Sequence, residues 1–184
     1  RIFVVITFAD APVHQLTDSQ YTLLAAEQWL RHGNFALDTA FPRPRDPKAF
    51  GPSLRYHAGQ VGYPYQVQVV PAPDGQFRVL QWYPPGTMVL SAPMLAVARA
   101  VGLHPMRADG SYDVVVEESL QATFAALLMA GFSVVVFATA RLWLGPASSA
   151  LVAVGSGLST MVWSTSSRGL WSSTWGLLLL ALAL

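Results

Sequence analysis

Long stretches without an ionisable side chain divide this chain, and they predict helices in a membrane. Residues 119–140 carry no ionisable group, and this length matches the roughly 20 residues that a helix needs to cross a bilayer. Two further uncharged stretches predict spans over about 147–163 and 170–184. The apolar residues 1–9 are too few to cross alone, so they form either the end of a first transmembrane helix or a buried strand. The chain starts without a methionine and stops inside an apolar stretch, which favours the first alternative and an excerpt of a longer protein.

Between the apolar ends lies a polar segment, residues 10–116, which holds almost all of the charge. Its first predicted helix covers about 19–32. Thr17 begins a sequence with the spacing of a capping box, Asp18 offers a further cap, and Gly33 stands where a left-handed C-cap belongs. Aromatic and apolar residues recur at helical spacing, so one face of this helix suits the membrane interface.

The polar segment contains two more predicted elements. Alternating stretches on either side of an Asp-Gly pair predict a β-hairpin over about 65–82. A Pro-Pro pair then precedes an apolar stretch that ends in glycine, which predicts a second juxtamembrane helix over about 86–101, either interfacial or re-entrant and bent at Pro93. Residues 39–64 are rich in proline and have no periodicity, so we expect an irregular loop there.

The composition agrees with a membrane protein. Hydrophobic residues make up 53% and charged residues only 11% of the chain, whereas roughly 25% charged residues are typical of soluble domains. The net charge is +1 and the basic residues are scattered, so we expect no nucleic-acid partner. The chain has no cysteine, which excludes a disulfide framework and a thiolate metal site.

The order of the spans predicts which charged residues share a membrane face. Two crossings separate Glu118 from Arg168, so Asp18 and Arg168 are expected on the same side. With Arg141 on the cytoplasmic side, the polar segment is extracytoplasmic. A carboxylate and a guanidinium at one interface suit a reaction on a lipid-linked phosphate. The carboxylate can deprotonate an acceptor, and the guanidinium can stabilise the leaving phosphate.

Three short segments resemble one enzyme family: DSQYTLLAAEQWLRHGN, WYPPGTMVLSAPMLAVARAVG and STSSRGLWSSTW. They are similar to the first external loop, the Pro-Pro-Gly helix start and the Ser-Arg-x-Leu-Trp stretch of GT-C glycosyltransferases. These polytopic enzymes take a sugar from a polyprenyl phosphate carrier. The nearest resemblance is to bacterial members related to protein O-mannosyltransferases and to the lipid A aminoarabinose transferase.

The resemblance implies an α-helical integral membrane fold, GT-C-like, of which this chain is an N-terminal fragment. Residues 1–9 end the first transmembrane helix, and residues 10–116 form a large extracytoplasmic first loop with the two juxtamembrane helices and the small hairpin. Residues 117–184 contain the transmembrane helices. It also implies an inverting transferase in which Asp18 is the catalytic base.

The implied substrate-binding residues depart from the family pattern at two places. Many members have a glutamate where this chain has Ser19. Some have a phosphate-binding lysine at the position of Tyr83, so phosphate contact passes to Arg78 or Arg168 as a hypothesis. The expected substrate-binding set is Tyr21, Arg78, Tyr83, Pro84, Pro85 and Arg168.

The resemblance also implies the partners and the location. The donor is a polyprenyl-phosphate-linked sugar, the acceptor is a glycan, lipid or protein, and membrane lipids surround a multi-pass protein of the inner or plasma membrane. No cofactor is identified from the sequence, and dependence on a divalent metal stays open, because one carboxylate does not specify a metal site.

Other interpretations stay open beside these. Asp18 also fits a helix cap, Arg168 a side chain that reaches the headgroups from the end of a span, and Glu117 with Glu118 a solvated flank of a span. Asp10 is a second candidate for the catalytic acid. For the whole chain, the alternatives are a lipid or solute transporter or flippase and a non-catalytic assembly subunit.

Overall fold

The computed structural model describes residues 19–41, 67–73, 77–159, 162–166 and 169–183. Within these residues the fold is mostly helical, with five α-helices, one π-helical turn and one two-stranded sheet. The chain divides into two compact units. We call residues 20–117 the polar unit, and residues 1–19 with 118–184 the apolar unit. The predicted end of a first span at 1–9 and most of the predicted irregular loop lie outside the described residues.

The first helix of the polar unit, α1, covers Thr22–His32. Its residues 22–28 are buried; residues 22–26 are apolar or small, whereas Glu27 and Gln28 are polar. The helix ends at Gly33, whose φ of 70° is left-handed and whose N–H donates to the Trp29 carbonyl at 2.9 Å. A residue without a Cβ adopts this conformation at little cost, so the predicted C-cap is confirmed.

The start of α1 differs from the prediction. The sequence pattern places it at about residue 19 with a capping box from Thr17, but the helix begins at Thr22. Tyr21 occupies the N-cap position and makes no side-chain cap bond. The capping-box prediction is therefore wrong; a carboxylate distant in sequence binds the first N–H groups instead, as described below.

The hairpin of the polar unit pairs β1, Val67–Pro71, with β2, Phe77–Gln81. The strands are antiparallel, with Val69 opposite Val79, and the buried side chains alternate along the strands as the sequence predicts. The Asp-Gly pair lies outside the described residues.

The second helix, α2, covers Gly86–Ala100, close to the predicted 86–101. It packs against α1 through residues at helical spacing, while the opposite face is exposed and also apolar. Val97 on that face is 70% exposed, and Val101 just after the helix is 72% exposed. The buried face consists of Met88, Ser91, Ala92, Leu95 and Ala98.

The longest helix, α3, covers Val114–Ala140. Asp113 lies just before it, and its Oδ1 accepts a hydrogen bond from the Val116 N–H at 3.2 Å. The helix has 27 residues and a mean hydropathy of 2.0 in its most apolar window, so it is long and apolar enough to cross a membrane. The boundary between the two units falls within α3, after Glu117.

The apolar unit contains two shorter helices, α4 at Pro146–Gly157 and α5 at Ser172–Ala183. Each has 12 residues, or about 18 Å of helix, which is less than the roughly 30 Å of a bilayer core. The described helix at the second predicted span is thus shorter than 147–163, and it ends where glycine and serine lower the helix propensity. Among the described residues, α3 alone reaches spanning length.

Candidate functional site

The predicted catalytic residue and one predicted phosphate contact, Asp18 and Arg168, lie outside the described residues. The residues that follow them, Ser19 and Gly169, belong to the apolar unit and are both buried. Ser19 Oγ lies 3.1 Å from the point that a Cβ on Gly169 would occupy. A Cβ at this position would be in tight contact with Ser19 and with Trp171 Nε1, also 3.1 Å away, so glycine suits the close approach.

Gln121, from α3, joins the same two chain segments within the apolar unit. Its side chain is fully buried. The amide Nε2 donates to the Ser19 carbonyl at 2.8 Å, and Oε1 accepts from the Leu170 N–H at 3.2 Å. One side chain thus fixes the backbone directly after Asp18 and the backbone two residues after Arg168.

A second polar side chain, Thr174, stabilises the same segment from α5. Its Oγ1 lies 2.9 Å from the Gly169 carbonyl and 3.1 Å from the Ser166 carbonyl. Ser166 ends the π-helical turn Val162–Ser166, a type of irregularity that is frequent at functional sites. The buried hydroxyls of Ser19 and Ser166 have no hydrogen-bond partner within the part of the chain that the structure describes. Buried polar groups usually find a partner, so these hydroxyls are candidate contacts for a ligand.

In the polar unit, Glu117 caps α1 across 94 residues of sequence. Its Oε1 accepts from the Leu23 N–H at 3.0 Å and its Oε2 from the Leu24 N–H at 3.2 Å. The Glu117 side chain is fully buried, so its interpretation as a solvated flank of a span is wrong. A carboxylate at a helix N-terminus satisfies free N–H groups and interacts favourably with the helix dipole.

Tyr21 lies directly before these N–H groups, with a left-handed φ of 68° and 4% exposure. Its ring packs edge-to-face on Phe41 at a centroid distance of 5.1 Å and lies 5.0 Å from the Tyr112 ring. Burial and the nearby Glu117 carboxylate raise the pKa of Tyr21 to about 12. The phenol is therefore neutral at physiological pH and sits in a packed core. Contact with substrate stays a prediction.

Arg78 on β2 pairs with Asp38, which follows α1. The guanidinium Nη1 lies 3.3 Å from Asp38 Oδ2, and Asp38 Oδ1 accepts from the Val79 N–H at 2.8 Å. The Arg78 side chain also borders a surface groove of about 330 Å³, formed with residues 34–36 and 70–73. A phosphate group would have to compete with Asp38 for the Arg78 guanidinium. Phosphate binding by Arg78 stays a prediction.

The predicted substrate-binding turn joins β2 to α2. Tyr83 is half-buried, whereas Pro84 and Pro85 are exposed. Pro85 is the N-cap of α2, with φ of −73°, which is the value that its ring imposes. The turn therefore has a clear structural role in starting α2, and its predicted contact with substrate is untested.

The polar unit also contains a charged cluster that the sequence patterns do not predict. Glu27 on α1 is fully buried, and Arg31, Arg99 and His104 surround its Oε1. The only signal in the sequence is the spacing of Glu27 and Arg31, which is four residues within one helix. The other two residues come from the end of α2 and the loop after it.

The described residues contain no group of three or more histidine, aspartate and glutamate side chains arranged to hold a metal ion. Comparisons of the chain with family models, with curated proteins and with solved structures return no match.

Proposed function

We propose that this chain is part of an integral membrane glycosyltransferase of the GT-C type, with Asp18 as the catalytic base. It would transfer a sugar, with inversion, from a polyprenyl phosphate carrier to an acceptor at the extracytoplasmic face of a multi-pass membrane protein. The observation that carries the proposal is the contact of Ser19 with Gly169 and the bridge through Gln121. The short sequence resemblances add to it.

The bridge supports the proposal through chain connectivity. Asp18 and Arg168 each directly precede a residue of this contact, and consecutive Cα atoms are about 3.8 Å apart. Asp18 and Arg168 supply the carboxylate and the cation that the proposed phosphate-sugar transfer requires. The buried hydroxyls of Ser19 and Ser166 offer hydrogen bonds to a sugar or phosphate in the same unit.

In the proposed reaction, Asp18 removes the proton from an acceptor hydroxyl or amine as that atom attacks the anomeric carbon of the sugar. The bond between this carbon and the phosphate oxygen breaks, and the polyprenyl phosphate leaves with its negative charge. Arg168 donates hydrogen bonds to the leaving phosphate. Inversion at the anomeric carbon follows from a single displacement.

The surface of the apolar unit supports a location in the bilayer. Leu151 on α4 is 75% exposed, and Leu180 and Leu182 on α5 are 62% and 61% exposed. Apolar patches of this kind, next to a helix of spanning length, suit contact with lipid. A donor with a polyprenyl chain would reach the site from the same lipid phase.

The test compares Asp18→Asn with wild type in lipid nanodiscs, with polyprenyl phosphate mannose as the donor and release of polyprenyl phosphate as the readout. Loss of a general base lowers the rate by about 10²- to 10⁴-fold, and we expect this loss without a change in thermal unfolding. Arg168→Gln is expected to slow release as well. Asp10→Asn tests the second candidate for the catalytic acid and should keep the wild-type rate.

Release at the wild-type rate by folded Asp18→Asn would remove Asp18 from the mechanism. A loss of activity in Asp10→Asn instead would assign the role of the base to Asp10.

A further inference from the structure

The charged cluster of Glu27, Arg31, Arg99 and His104, which we call the Glu27 cluster, converges on a single oxygen atom. Glu27 Oε1 lies 2.7 Å from Arg31 Nε, 3.8 Å from Arg99 Nε and 3.5 Å from His104 Nδ1. All four residues belong to the polar unit. They come from α1, from the last turn of α2 and from the loop after α2.

The cluster carries more positive than negative charge. One carboxylate faces two guanidinium groups, so these three residues together have a net charge of +1. A buried ion pair is favourable only when the charges are balanced and the hydrogen bonds are complete. Here Arg99 Nε and His104 Nδ1 are buried without a hydrogen-bond partner in the described part of the chain, and so is Glu27 Oε2. The cluster therefore does not form a closed network.

Glu27 and the three residues around it differ in their access to solvent. The Glu27 side chain is fully buried, whereas 30% of Arg31, 29% of Arg99 and 36% of His104 is exposed. A guanidinium has five N–H donors, of which the contact to Glu27 uses only some. The His104 ring turns Nδ1 to Glu27, so Nε2 lies on the far edge of the ring. Part of each of these three side chains thus reaches the surface beside a buried carboxylate that anchors them.

We propose that Arg31, Arg99 and His104 form a binding site for a phosphate group, in which Glu27 positions the two guanidinium groups. Two arginines near one point match the bidentate geometry of phosphate oxygens, and the imidazole supplies a further donor. The site is independent of the transferase proposal, because it uses none of the residues assigned to that reaction.

The surroundings of the site indicate two sources for the phosphate group. Val97, Val101 and Leu103 lie beside Arg99 and His104 in the sequence and are 70%, 72% and 46% exposed. This arrangement suits a lipid. Its acyl chains would contact the apolar surface, and its phosphate would contact the neighbouring polar side chains. A soluble phosphate ester satisfies the same donors without the apolar contact.

The experiment measures two probes on the full chain in an uncharged detergent. The first probe is inorganic phosphate, with its dissociation constant measured by calorimetry. The second is phosphatidic acid, with its retention measured by native mass spectrometry against diacylglycerol, which lacks the phosphate. We expect binding of at least one probe, and the responding probe identifies the source as a soluble ester or a lipid headgroup.

Variants then test the assignment of residues. Each arginine is expected to donate a hydrogen bond to the charged phosphate. Loss of this bond in Arg31→Gln or Arg99→Gln should weaken binding of the probe about tenfold. Arg107→Gln is the matched control, because Arg107 is 58% exposed and pairs with Asp113 outside the cluster. It should bind the probe as wild type does. Thermal unfolding of each variant verifies that it is folded, and Arg31→Gln, on the helix surface, decides the test if Arg99→Gln does not fold.

The proposal is overturned if neither probe binds the wild-type chain. It is equally overturned if folded Arg31→Gln binds the responding probe as tightly as Arg107→Gln, because the cluster would then serve only to hold α1 against α2.

Discussion

At the scale of single residues, Glu117 and Tyr21 fix the start of α1 together. The carboxylate binds the first two N–H groups of the helix, and the buried tyrosine holds the preceding backbone at a positive φ. A positive φ is strained for a residue with a Cβ, and the ring contacts with Phe41 and Tyr112 offset this cost. Burying the ring beside a carboxylate also makes its ionisation unfavourable.

The raised pKa of Tyr21 predicts a loss of stability at alkaline pH. The folded state holds the phenolic proton up to about pH 12, whereas the unfolded chain releases it near 10.0. The unfolded state therefore binds fewer protons in this range, and the stabilisation, present below pH 10, is lost as the pH rises through 12. The loss is on the order of 2 kcal/mol. Unfolding free energies measured across this range for wild type and Tyr21→Phe test it.

Tyr21→Phe should lose less stability over this pH range than wild type, and the last step of tyrosinate absorbance should disappear. Glu117→Gln should lower the pKa of Tyr21 only in part, because burial is the larger cause. An unchanged absorbance titration in Tyr21→Phe would show that another tyrosine gives the last step.

At the scale of elements, α2 has two apolar faces with different surroundings. One face packs on α1, and the other is exposed. A helix with apolar residues on all sides is expected in a large core or a membrane, yet α2 has only 15 residues. It is thus too short to span a bilayer, and the position in the membrane interface that the sequence predicts would suit both faces and stays a prediction.

Substitutions on the two faces should have different effects on stability. Leu95 is fully buried against α1, so Leu95→Ala should lower the unfolding free energy by about 2–5 kcal/mol through lost burial and a cavity. Val97 lies two residues away and is 70% exposed, so Val97→Ala should change it by less than about 0.5 kcal/mol. Urea denaturation of both variants in the same detergent makes the comparison. Equal losses would contradict the assignment of the buried face.

At the scale of the whole molecule, α3 connects the polar part of the sequence to the uncharged, apolar part. It begins in the polar unit, where Glu117 binds α1, and continues through the uncharged residues of the apolar unit. Gln121 is its polar contact with the Ser19 and Leu170 backbone. One helix thus anchors the candidate catalytic segment and has the length and hydropathy to cross a membrane.

If α3 crosses the membrane as proposed, the free energy of its insertion should depend strongly on where along the helix a charge is introduced. Leu127→Arg puts an arginine near the middle of the uncharged stretch, where insertion costs about 2.5–3.5 kcal/mol. Val114→Arg, at the first residue of the helix, should cost far less, because the side chain reaches the headgroups. The measurement places residues 114–140 in a host membrane protein that carries glycosylation acceptor sites. The pattern of glycosylation then gives the fraction of molecules in which the helix is inserted. Similar insertion of both variants would indicate that α3 does not lie across the bilayer.

The elements that the sequence predicts well have local causes. Gly33 ends α1 because its backbone adopts a left-handed conformation, and alternating residues form β1 and β2. The uncharged stretch at 119–140 lies within α3. The sequence does not predict the start of α1, because it depends on a distant carboxylate, and α4 is shorter than predicted, because the prediction used the length of the uncharged stretch and not the low helix propensity near its end. The predicted role of Asp18 rests on the resemblance and stays a prediction.

The sequence by itself determined where this chain is apolar, where its main helices and hairpin lie, and which acid and arginine are candidates for chemistry. These properties depend on side chains a few residues apart. Only the tertiary structure decided that Glu117 caps α1, that Gln121 joins the Ser19 and Leu170 backbone, and that two arginines and a histidine meet at Glu27. The partners in these contacts lie up to about a hundred residues apart, and local patterns carry no information on such distances.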